Sequence, residues 1–222
     1  MPFNYKTKPY EHQEEALLRS FNRKNYAYFM EMGCGKSKVL IDNITWLYQE
    51  KEIDTAIIIA PKGVYMNWKN SEIPTHLPDN VDKNVYVWKA SANKTEKKVL
   101  EEGVKTRDKL RILLVNVEAF ATAKVIKYLE AFIHRSNFML AVDESTTIKN
   151  IKAKRTKSVL RLGESAKYKR ILTGSPITQS PMDLYSQCYF LDKELLGFDS
   201  YWSFQGRYAI IRQTRIGNHS FQ

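Results

Sequence analysis

Short apolar runs alternate with segments of helical periodicity along this chain. The run Thr55–Ala60 is β-branched and continuously apolar, which is typical of a central parallel strand covered on both faces. The apolar runs predict strands at Tyr26–Phe29, Thr55–Ala60, Val85–Trp88, Leu110–Val115, Asn137–Val142 and Lys169–Leu172. The periodic segments predict helices after Pro9, after Lys36, and at Val64–Trp68, Thr95–Glu102, Ala119–His134 and Pro181–Leu191. This alternation predicts an α/β fold with a doubly wound, mainly parallel sheet.

The length and composition favour one soluble domain that covers residues 1–222. Apolar content of 43% and charged content of 27% are ordinary for such a domain. The longest apolar runs are too short to span a membrane, so no membrane partner is expected. Cys34 and Cys188 are the only cysteines, which favours a reducing, cytoplasmic location, in bacteria or a phage-infected host rather than a nucleus. The scattered histidines have no zinc-ligand spacing.

The stretch Met30–Ser37 lies where a predicted strand turns into a predicted helix, which is the setting of a phosphate-binding loop. The helix N-terminus would add partial positive charge. Lys36 would reach the β- and γ-phosphates of ATP, and the Ser37 hydroxyl would bind Mg²⁺. The residues predicted to bind the nucleotide here are Gly33, Cys34, Gly35, Lys36 and Ser37. The alternative is a chance Gly-x-Gly-Lys-Ser in a surface turn, and the flanking strand and helix favour the phosphate loop.

Two acids follow the predicted strand Asn137–Val142 and form the second candidate for chemistry. Asp143 could hold Mg²⁺ through water, and Glu144 could orient and polarise an attacking water. The alternative is a strand that ends in two solvated acids. With a phosphate loop upstream, we predict that Asp143, Glu144 and Lys36 are the catalytic residues.

Two further polar positions extend this site. Gln13 carries a donor and an acceptor that suit the edge of adenine, although a solvated first-turn glutamine is the simpler reading without a phosphate loop. Thr173 and Ser175 lie in the turn Thr173–Pro176, whose hydroxyls could hydrogen-bond to the carboxylates and relay the state of the γ-phosphate. As an isolated tetrapeptide, this sequence is only a good turn.

The formal net charge of +11 favours an anionic partner such as nucleic acid, and the charge clusters after the acid pair. Glu164 is the only acid in the basic stretch, whose members are Lys149, Lys152, Lys154, Arg155, Lys157, Arg161, Lys167, Lys169 and Arg170. We predict backbone-phosphate contacts by Lys149, Lys152 and Arg155, and by Lys62 beyond the strand Thr55–Ala60. The alternatives are a solvated helix face and a solvated loop lysine. We predict that Trp68 packs in the core rather than stacking on a base.

Taken together, these motifs resemble the first RecA-like lobe of a superfamily-two helicase of the Swi/Snf-related DNA translocases. The segments that carry the resemblance are Lys8–Tyr10 with Gln13, Glu31–Ser37, Ala60–Lys62 with Asn67–Trp68, Val115–Glu118, Asp143–Glu144, Ile148–Asn150, Thr173–Pro176, Leu184–Asp192 and Phe204–Tyr208. The resemblance covers nearly the whole chain with the motifs in order. It implies ATP and Mg²⁺ as cofactors and double-stranded DNA as a partner, bound through backbone phosphates.

The chain departs from this pattern in three places. Met30 stands where the general phosphate loop has glycine, a departure that many nucleic-acid-stimulated helicases share. Ser145 and Thr146 follow the acid pair, where the family usually has alanine or glycine and then histidine. Nothing after Pro176 resembles the second RecA-like lobe, which carries the arginine fingers in the family. We therefore expect a partner lobe in cis or in trans, and little activity without it.

Two other functions are compatible with the same motifs. One is the motor subunit of a restriction system, against which Ile148–Asn150 argues. The other is a non-catalytic module that binds DNA or a protein through the basic stretch and carries a vestigial phosphate loop. A substitution of Glu144 would separate these classes, because a pure binding module should not respond to it.

Overall fold

A computed structural model describes residues 3–210 and the backbone of two short strands near the end of the chain. The parallel strands are β1 (Asn25–Phe29), β2 (Thr55–Ala60), β3 (Lys83–Val87), β4 (Leu110–Asn116), β5 (Phe138–Asp143) and β6 (Tyr168–Thr173), and the short pair is β7 (Thr214–Ile216) and β8 (His219–Phe221). The helices are α1 (Glu11–Ser20), α2 (Lys36–Gln49), α3 (Tyr65–Asn67), α4 (Ile73–His76), α5 (Lys94–Lys105), α6 (Ala123–Ile133), α7 (Lys154–Gly163), α8 (Asp183–Leu191) and α9 (Tyr201–Tyr208).

Strands β1 to β6 form one sheet in the order β1-β6-β5-β2-β4-β3, and every pair in it is parallel. All six residues of β2 are buried, because helices cover both faces of the sheet. Ala56 and Ile58 pack on the side of α2, whereas Ile57 and Ile59 pack on the opposite side with α6. The predicted doubly wound parallel sheet is confirmed.

Two predicted helices differ from the structure. The segment Ala119–His134 is interrupted, because Thr122 is extended and separates a 3₁₀ turn at Val117–Ala121 from α6. The Asn116 side chain caps that turn by accepting a hydrogen bond from the Ala119 amide at 2.8 Å. The helix predicted at Val64–Trp68 continues to His76 through a π-helical turn at Trp68–Glu72. Single π turns are frequent at functional sites.

The aromatic segment near the end of the described region packs against α8. The rings of Phe198 and Phe204 lie 5.3 Å apart, and those of Tyr185 and Phe204 lie 5.4 Å apart. In the tail Arg212–Gln222, only the backbone pairing of β7 with β8 belongs to the described part. Among the described residues, no helix combines the length and apolarity that crossing a membrane requires.

A buried ion pair lies in α2 close behind the phosphate loop. The Lys38 ammonium donates to the Asp42 carboxylate at 2.7 Å, and the two side chains are only 5% and 2% exposed. The ammonium also lies 5.1 Å from the centre of the Tyr5 ring. Burial raises the pKa of Asp42 to about 6, against the opposing hydrogen bond and charge of Lys38. Each ion therefore depends on the charge of the other to offset its loss of hydration inside the protein.

We expect Lys38→Met to lower the free energy of unfolding by about 3–5 kcal/mol, because it leaves the Asp42 carboxylate buried without a cation. Urea unfolding at pH 7 measures this loss, and Lys38→Met combined with Asp42→Leu should recover most of it. Lys38 lowers the pKa of Asp42, so this pKa should rise above about 6 in the variant, and the loss should shrink as the pH falls towards 6 because Asp42 of the variant is then protonated and neutral. Arg19→Met is the control, since it removes an exposed pair of the same helical spacing with Glu15. A double variant as unstable as Lys38→Met would contradict the prediction.

Candidate functional site

The carboxyl ends of three adjacent strands bring the sequence motifs together. Phe29 in β1 is the register partner of Thr173 in β6, and Leu172 in β6 is the partner of Asp143 in β5. The phosphate loop, the turn after β6 and the acid pair therefore share one edge of the sheet. Ligands bind at this edge in open parallel sheets.

The phosphate loop has the backbone that its sequence predicts. Gly33 and Gly35 have φ angles of 82° and 76°, a region that side chains disfavour, and α2 begins at Lys36. The Lys36 ammonium folds back and donates to the carbonyls of Met30 and Glu31, each at 3.0 Å. Cys34 lies in the loop half-buried, whereas the other cysteine, Cys188, is buried in α8. The loop thus holds a cation next to the start of a helix, as an anion site requires.

Gln13 supports this loop from α1. Its side-chain amide donates to the Cys34 carbonyl at 3.1 Å, and its carbonyl oxygen accepts from the Tyr10 amide at 3.0 Å. A Cβ atom at Gly35 would lie 2.3 Å from the Gln13 amide nitrogen, so this position requires glycine for space as well as for its φ angle. Both ends of the Gln13 amide are engaged within the protein, and the adenine contact stays a prediction.

The two acids occupy different environments. Asp143 is buried, and its two oxygens accept hydrogen bonds from the Trp68 indole N–H at 2.9 Å and from the Glu144 amide at 3.0 Å. Burial raises the pKa of Asp143, although these hydrogen bonds and the charge of Lys36 oppose the shift. Glu144 is half-buried, and burial followed by the neighbouring Asp143 charge raises its pKa, again against Lys36. The acids and Lys36 therefore interact electrostatically across the site.

Trp68 is a functional candidate that sequence reasoning missed. Its predicted place in the core is confirmed by an exposure of 1%, but its indole N–H reaches Asp143 across 75 positions of sequence. The π-helical turn that begins at Trp68 carries the ring to this position. No local pattern encodes such a contact. Trp68 follows β2 and Asp143 ends β5, and these two strands end at the same edge of the sheet.

The available donors fit a magnesium ion. Asp143 and Glu144 are carboxylates whose pKa values are raised mainly by burial, so a nearby cation would favour their charged forms. Ser37 lies in the first turn of α2 and offers a hydroxyl oxygen. Carboxylate and hydroxyl oxygens are ligands that Mg²⁺ accepts while it keeps several waters.

The turn after β6 lies against the phosphate loop. Thr173 is buried, and its hydroxyl accepts a hydrogen bond from the Ser175 amide at 3.1 Å, whereas Ser175 itself is exposed. A Cβ atom at Gly174 would lie 3.3 Å from the Met32 amide nitrogen. Because of this close approach, a backbone movement of the phosphate loop would displace the turn that carries Thr173 and Ser175.

The predicted DNA-contacting residues have unequal surroundings. Lys62 is exposed in the turn after β2, and Lys152 is exposed with its ammonium 4.6 Å from the centre of the Trp202 ring. Arg155 is half-buried, and its Nε has no hydrogen-bond partner. Lys149 donates to the Thr178 hydroxyl at 2.7 Å and lies 3.4 Å from the Asp183 carboxylate, so a DNA contact would require it to leave these partners.

The basic stretch is not a single surface, and its interpretation as one is wrong for Arg170. Arg170 is fully buried in β6 and donates to the Asn43 side chain at 2.9 Å and to the Ser20 carbonyl at 3.0 Å. Lys167 pairs with Glu52 at 2.8 Å on another side of the sheet. Residues on both faces of β6 are buried, so Arg170 lies in the interior, and charge counting along a sequence cannot detect this.

Comparison with known proteins gives related sequences that are much longer than this chain. Residues 17–215 match the profile of the SNF2-related domain family. The chain is 29% identical over 163 residues to the probable ATP-dependent DNA helicase CHR12 of Arabidopsis thaliana, an alignment that covers 72% of this chain and 14% of that protein. It is 26% identical over 162 residues to Helicase SWR1 of Mycosarcoma maydis, which covers 72% of this chain and 8% of that protein.

Two solved structures share the fold. The Sulfolobus solfataricus SWI2/SNF2 ATPase core in complex with dsDNA superposes with a TM-score of 0.73 at 24% identity and covers 94% of this chain and 40% of that one. The Sulfolobus solfataricus SWI2/SNF2 ATPase core domain superposes with a TM-score of 0.67 at 26% identity and covers 93% and 39%. The chain thus corresponds to less than half of each solved core.

Proposed function

Because this chain belongs to the SNF2-related domain family, a family of helicase-like ATPases with a RecA-like fold, we propose that it is the ATP-binding lobe of a motor that tracks along double-stranded DNA. The observation that carries this proposal is the meeting of the phosphate loop, the acid pair and the turn Thr173–Pro176 on three neighbouring strands. A solved structure of similar fold is described as bound to dsDNA, which supports the proposed partner.

Different residues of the site would bind the phosphates, the metal ion and the adenine. The amides of Gly33–Ser37 and the Lys36 ammonium bind the phosphates, for which Lys36 exchanges its two loop carbonyls. Ser37 and Asp143 would hold Mg²⁺, which neutralises charge on the transferred phosphoryl group when it is bound. Gln13 would read the edge of adenine from its place beside Cys34.

Glu144 is the proposed base for hydrolysis. A base near the phosphate must be ionised but still attract a proton from water. Burial and the adjacent Asp143 raise the pKa of Glu144 and so increase its proton affinity, whereas Lys36 favours its charged form. Thr173 and Ser175 would report the state of the γ-phosphate, because their turn packs on the loop through Gly174.

DNA is proposed to contact the exposed cations Lys62 and Lys152 and the half-buried Arg155. Lys62 after β2, with Lys152 and Arg155 around the start of α7, would contact backbone phosphates without reading sequence. Such contacts release counterions, so the affinity should fall steeply with salt. Lys149 is included only if it leaves Asp183 on binding.

A second RecA-like lobe is the remaining proposed partner. Arginine fingers from a partner element contribute roughly 10³–10⁵ in rate in nucleotide hydrolases. We therefore expect these 222 residues to bind ATP and to hydrolyse it weakly by themselves.

The test compares ATP hydrolysis by this chain with hydrolysis by the same chain joined to, or mixed with, a second SNF2-type lobe, each with and without duplex DNA. We expect DNA-stimulated turnover only where both lobes are present. Comparable turnover by this chain alone would contradict the half-motor proposal, and a lack of ATP binding in both forms would contradict an ATPase.

We expect Trp68→Phe to raise the Mg²⁺ concentration needed for half-maximal ATP binding by about 10-fold, as loss of a residue that orients a metal ligand typically does. The ring remains but the N–H that holds Asp143 is lost. Trp88→Phe is the matched control, because Trp88 is also buried and its indole N–H has no hydrogen-bond partner among the described residues. Titration of Mg²⁺ with a fluorescent ATP analogue measures the effect. Equal titrations for the two variants would show that the hydrogen bond does not orient the metal ligand.

A further inference from the structure

Helix α8 carries three buried polar side chains on one face of an otherwise largely apolar helix. Asp183, Ser186 and Gln187 occupy positions i, i+3 and i+4, so they point in the same direction. Their exposures are 7%, 0% and 0%. Buried polar groups are unfavourable unless each is hydrogen-bonded, so the partners of this polar face indicate what it does.

The Gln187 amide joins two loops of the candidate site. Its carbonyl oxygen accepts a hydrogen bond from the Ser145 hydroxyl at 2.6 Å, and Ser145 directly follows Glu144. Its NH₂ group donates to the Pro176 carbonyl at 2.8 Å, at the end of the turn that begins with Thr173. It also donates to the Asp183 carbonyl at 2.6 Å within α8. Ser145, which follows the acid pair, and the turn after β6 thus share one side chain as a hydrogen-bond partner.

Asp183 makes a second, parallel connection. One of its oxygens accepts from the amides of Thr178 and Gln179, each at 2.9 Å, and lies 3.4 Å from the Lys149 ammonium. Burial alone would raise the pKa of Asp183, but these hydrogen bonds and the Lys149 charge together hold it well below its usual range. The Ser186 hydroxyl adds a contact to the Ile148 carbonyl at 2.5 Å. Ser145, Ile148 and Lys149 are therefore each hydrogen-bonded to a polar side chain of α8.

The backbone of Glu144 needs such support. Its φ angle is 47°, in the left-handed region that a residue with a side chain adopts only when its surroundings fix it. The Thr147 amide donates to the Glu144 carbonyl at 2.9 Å, and the Ser145–Gln187 bond fixes the next residue. If Ser145 is released, the backbone around Glu144 loses one of the contacts that fix it.

We infer that Ser145 and Gln187 are positioning residues for hydrolysis, because the polar face of α8 holds Glu144 and links it to the turn Thr173–Pro176. This inference rests on the proposed function, in which Glu144 is the base. A displacement of the Pro176 carbonyl would move the Gln187 amide and, through it, Ser145. A movement of the turn Thr173–Pro176 would therefore be transmitted towards Glu144 through Gln187 and Ser145, whose side chains are both buried.

The test combines hydrogen exchange with hydrolysis measurements on Ser145→Ala, Gln187→Met and the double variant. We expect faster amide exchange at 144–148 and at 174–179 in both single variants. In the two-lobed protein, we expect kcat to fall about 10- to 100-fold, as misplacement of a catalytic group does, with KM for Mg²⁺–ATP unchanged within about twofold. The double variant should be no worse than the worse single variant, because both remove one shared bond. Ser20→Ala is the control, since it deletes a buried hydroxyl far from this edge.

Each outcome decides the inference. Unchanged exchange at 144–148 would overturn it, and so would altered exchange with kcat equal to that of the control. Additive losses in the double variant would show that the two residues act separately and would also overturn it. If the wild-type two-lobed protein does not hydrolyse ATP, the proposed function fails by that result alone, and a positioning role in hydrolysis fails with it. If wild-type turnover is normal and only the Ser145 and Gln187 variants lack an effect, the inference alone fails.

Discussion

Glu144→Gln is expected to lower the rate of ATP hydrolysis by about 10²–10⁴-fold, the usual contribution of a positioned general base. The substitution keeps the size of the side chain but removes the group that accepts a proton. ATP affinity should stay within a few-fold of wild type, because the phosphate loop and Lys36 are untouched. The measurement is single-turnover hydrolysis in the two-lobed protein, beside an equilibrium titration with ATP.

The pH profile gives this prediction a second readout. Burial and Asp143 raise the pKa of Glu144 above its ordinary value, and only the ionised form can act as a base. Wild-type turnover should therefore increase as the pH rises through that pKa, whereas the residual rate of Glu144→Gln should lack this step. Glu118→Gln is the matched control, since Glu118 is exposed just beyond β4 at the same edge. DNA-stimulated turnover at the wild-type rate in Glu144→Gln would show that Glu144 is not the base.

Lys36→Ala is expected to weaken ATP binding by roughly 10- to 150-fold, which corresponds to the 1.5–3 kcal/mol of a hydrogen bond to a charged group. The ammonium is held within the loop by two backbone carbonyls, where it would meet the proposed phosphates. Those carbonyls belong to Met30 and Glu31 on the loop surface and can bond to water in the variant, so the fold should not lose much stability.

Isothermal titration with ATP and with duplex DNA separates the two sites. Lys36→Ala should lose ATP affinity and keep DNA affinity. Lys24→Ala removes an exposed lysine at the opposite end of β1 and should change neither. If Lys36→Ala binds ATP as tightly as Lys24→Ala does, the loop is vestigial.

The fold was predictable because its signals are local. Continuous apolar runs such as Thr55–Ala60 predict buried parallel strands, and their spacing leaves room for the crossover helices. The phosphate loop and the acid pair could be predicted as candidates because each follows such a strand. Parallel pairing then brings their ends to one edge, as the partners Leu172 and Asp143 show.

The errors and omissions have a common physical origin in contacts between residues distant in sequence. Arg170 counts as a surface cation in the sequence but is buried, because both faces of β6 are covered. Lys149 depends on Asp183, which lies 34 positions away, and Trp68 depends on Asp143, which lies 75 positions away. The polar face of α8 was visible as Asp183, Ser186 and Gln187 at helical spacing in an otherwise largely apolar helix, a pattern that indicates buried hydrogen bonds. Its partners could not be read without the fold.

Because the two cysteines are unequally buried, a thiol reagent should label the proposed nucleotide site selectively. Cys188 is buried, and burial raises the pKa of its thiol, so little reactive thiolate is available there. Cys34 is half-buried inside the phosphate loop itself. A maleimide fluorophore would therefore label the native sequence at the loop without any engineered cysteine, and ATP that covers the loop would slow the labelling. The rate of labelling at Cys34 would thus report whether the proposed site holds a nucleotide.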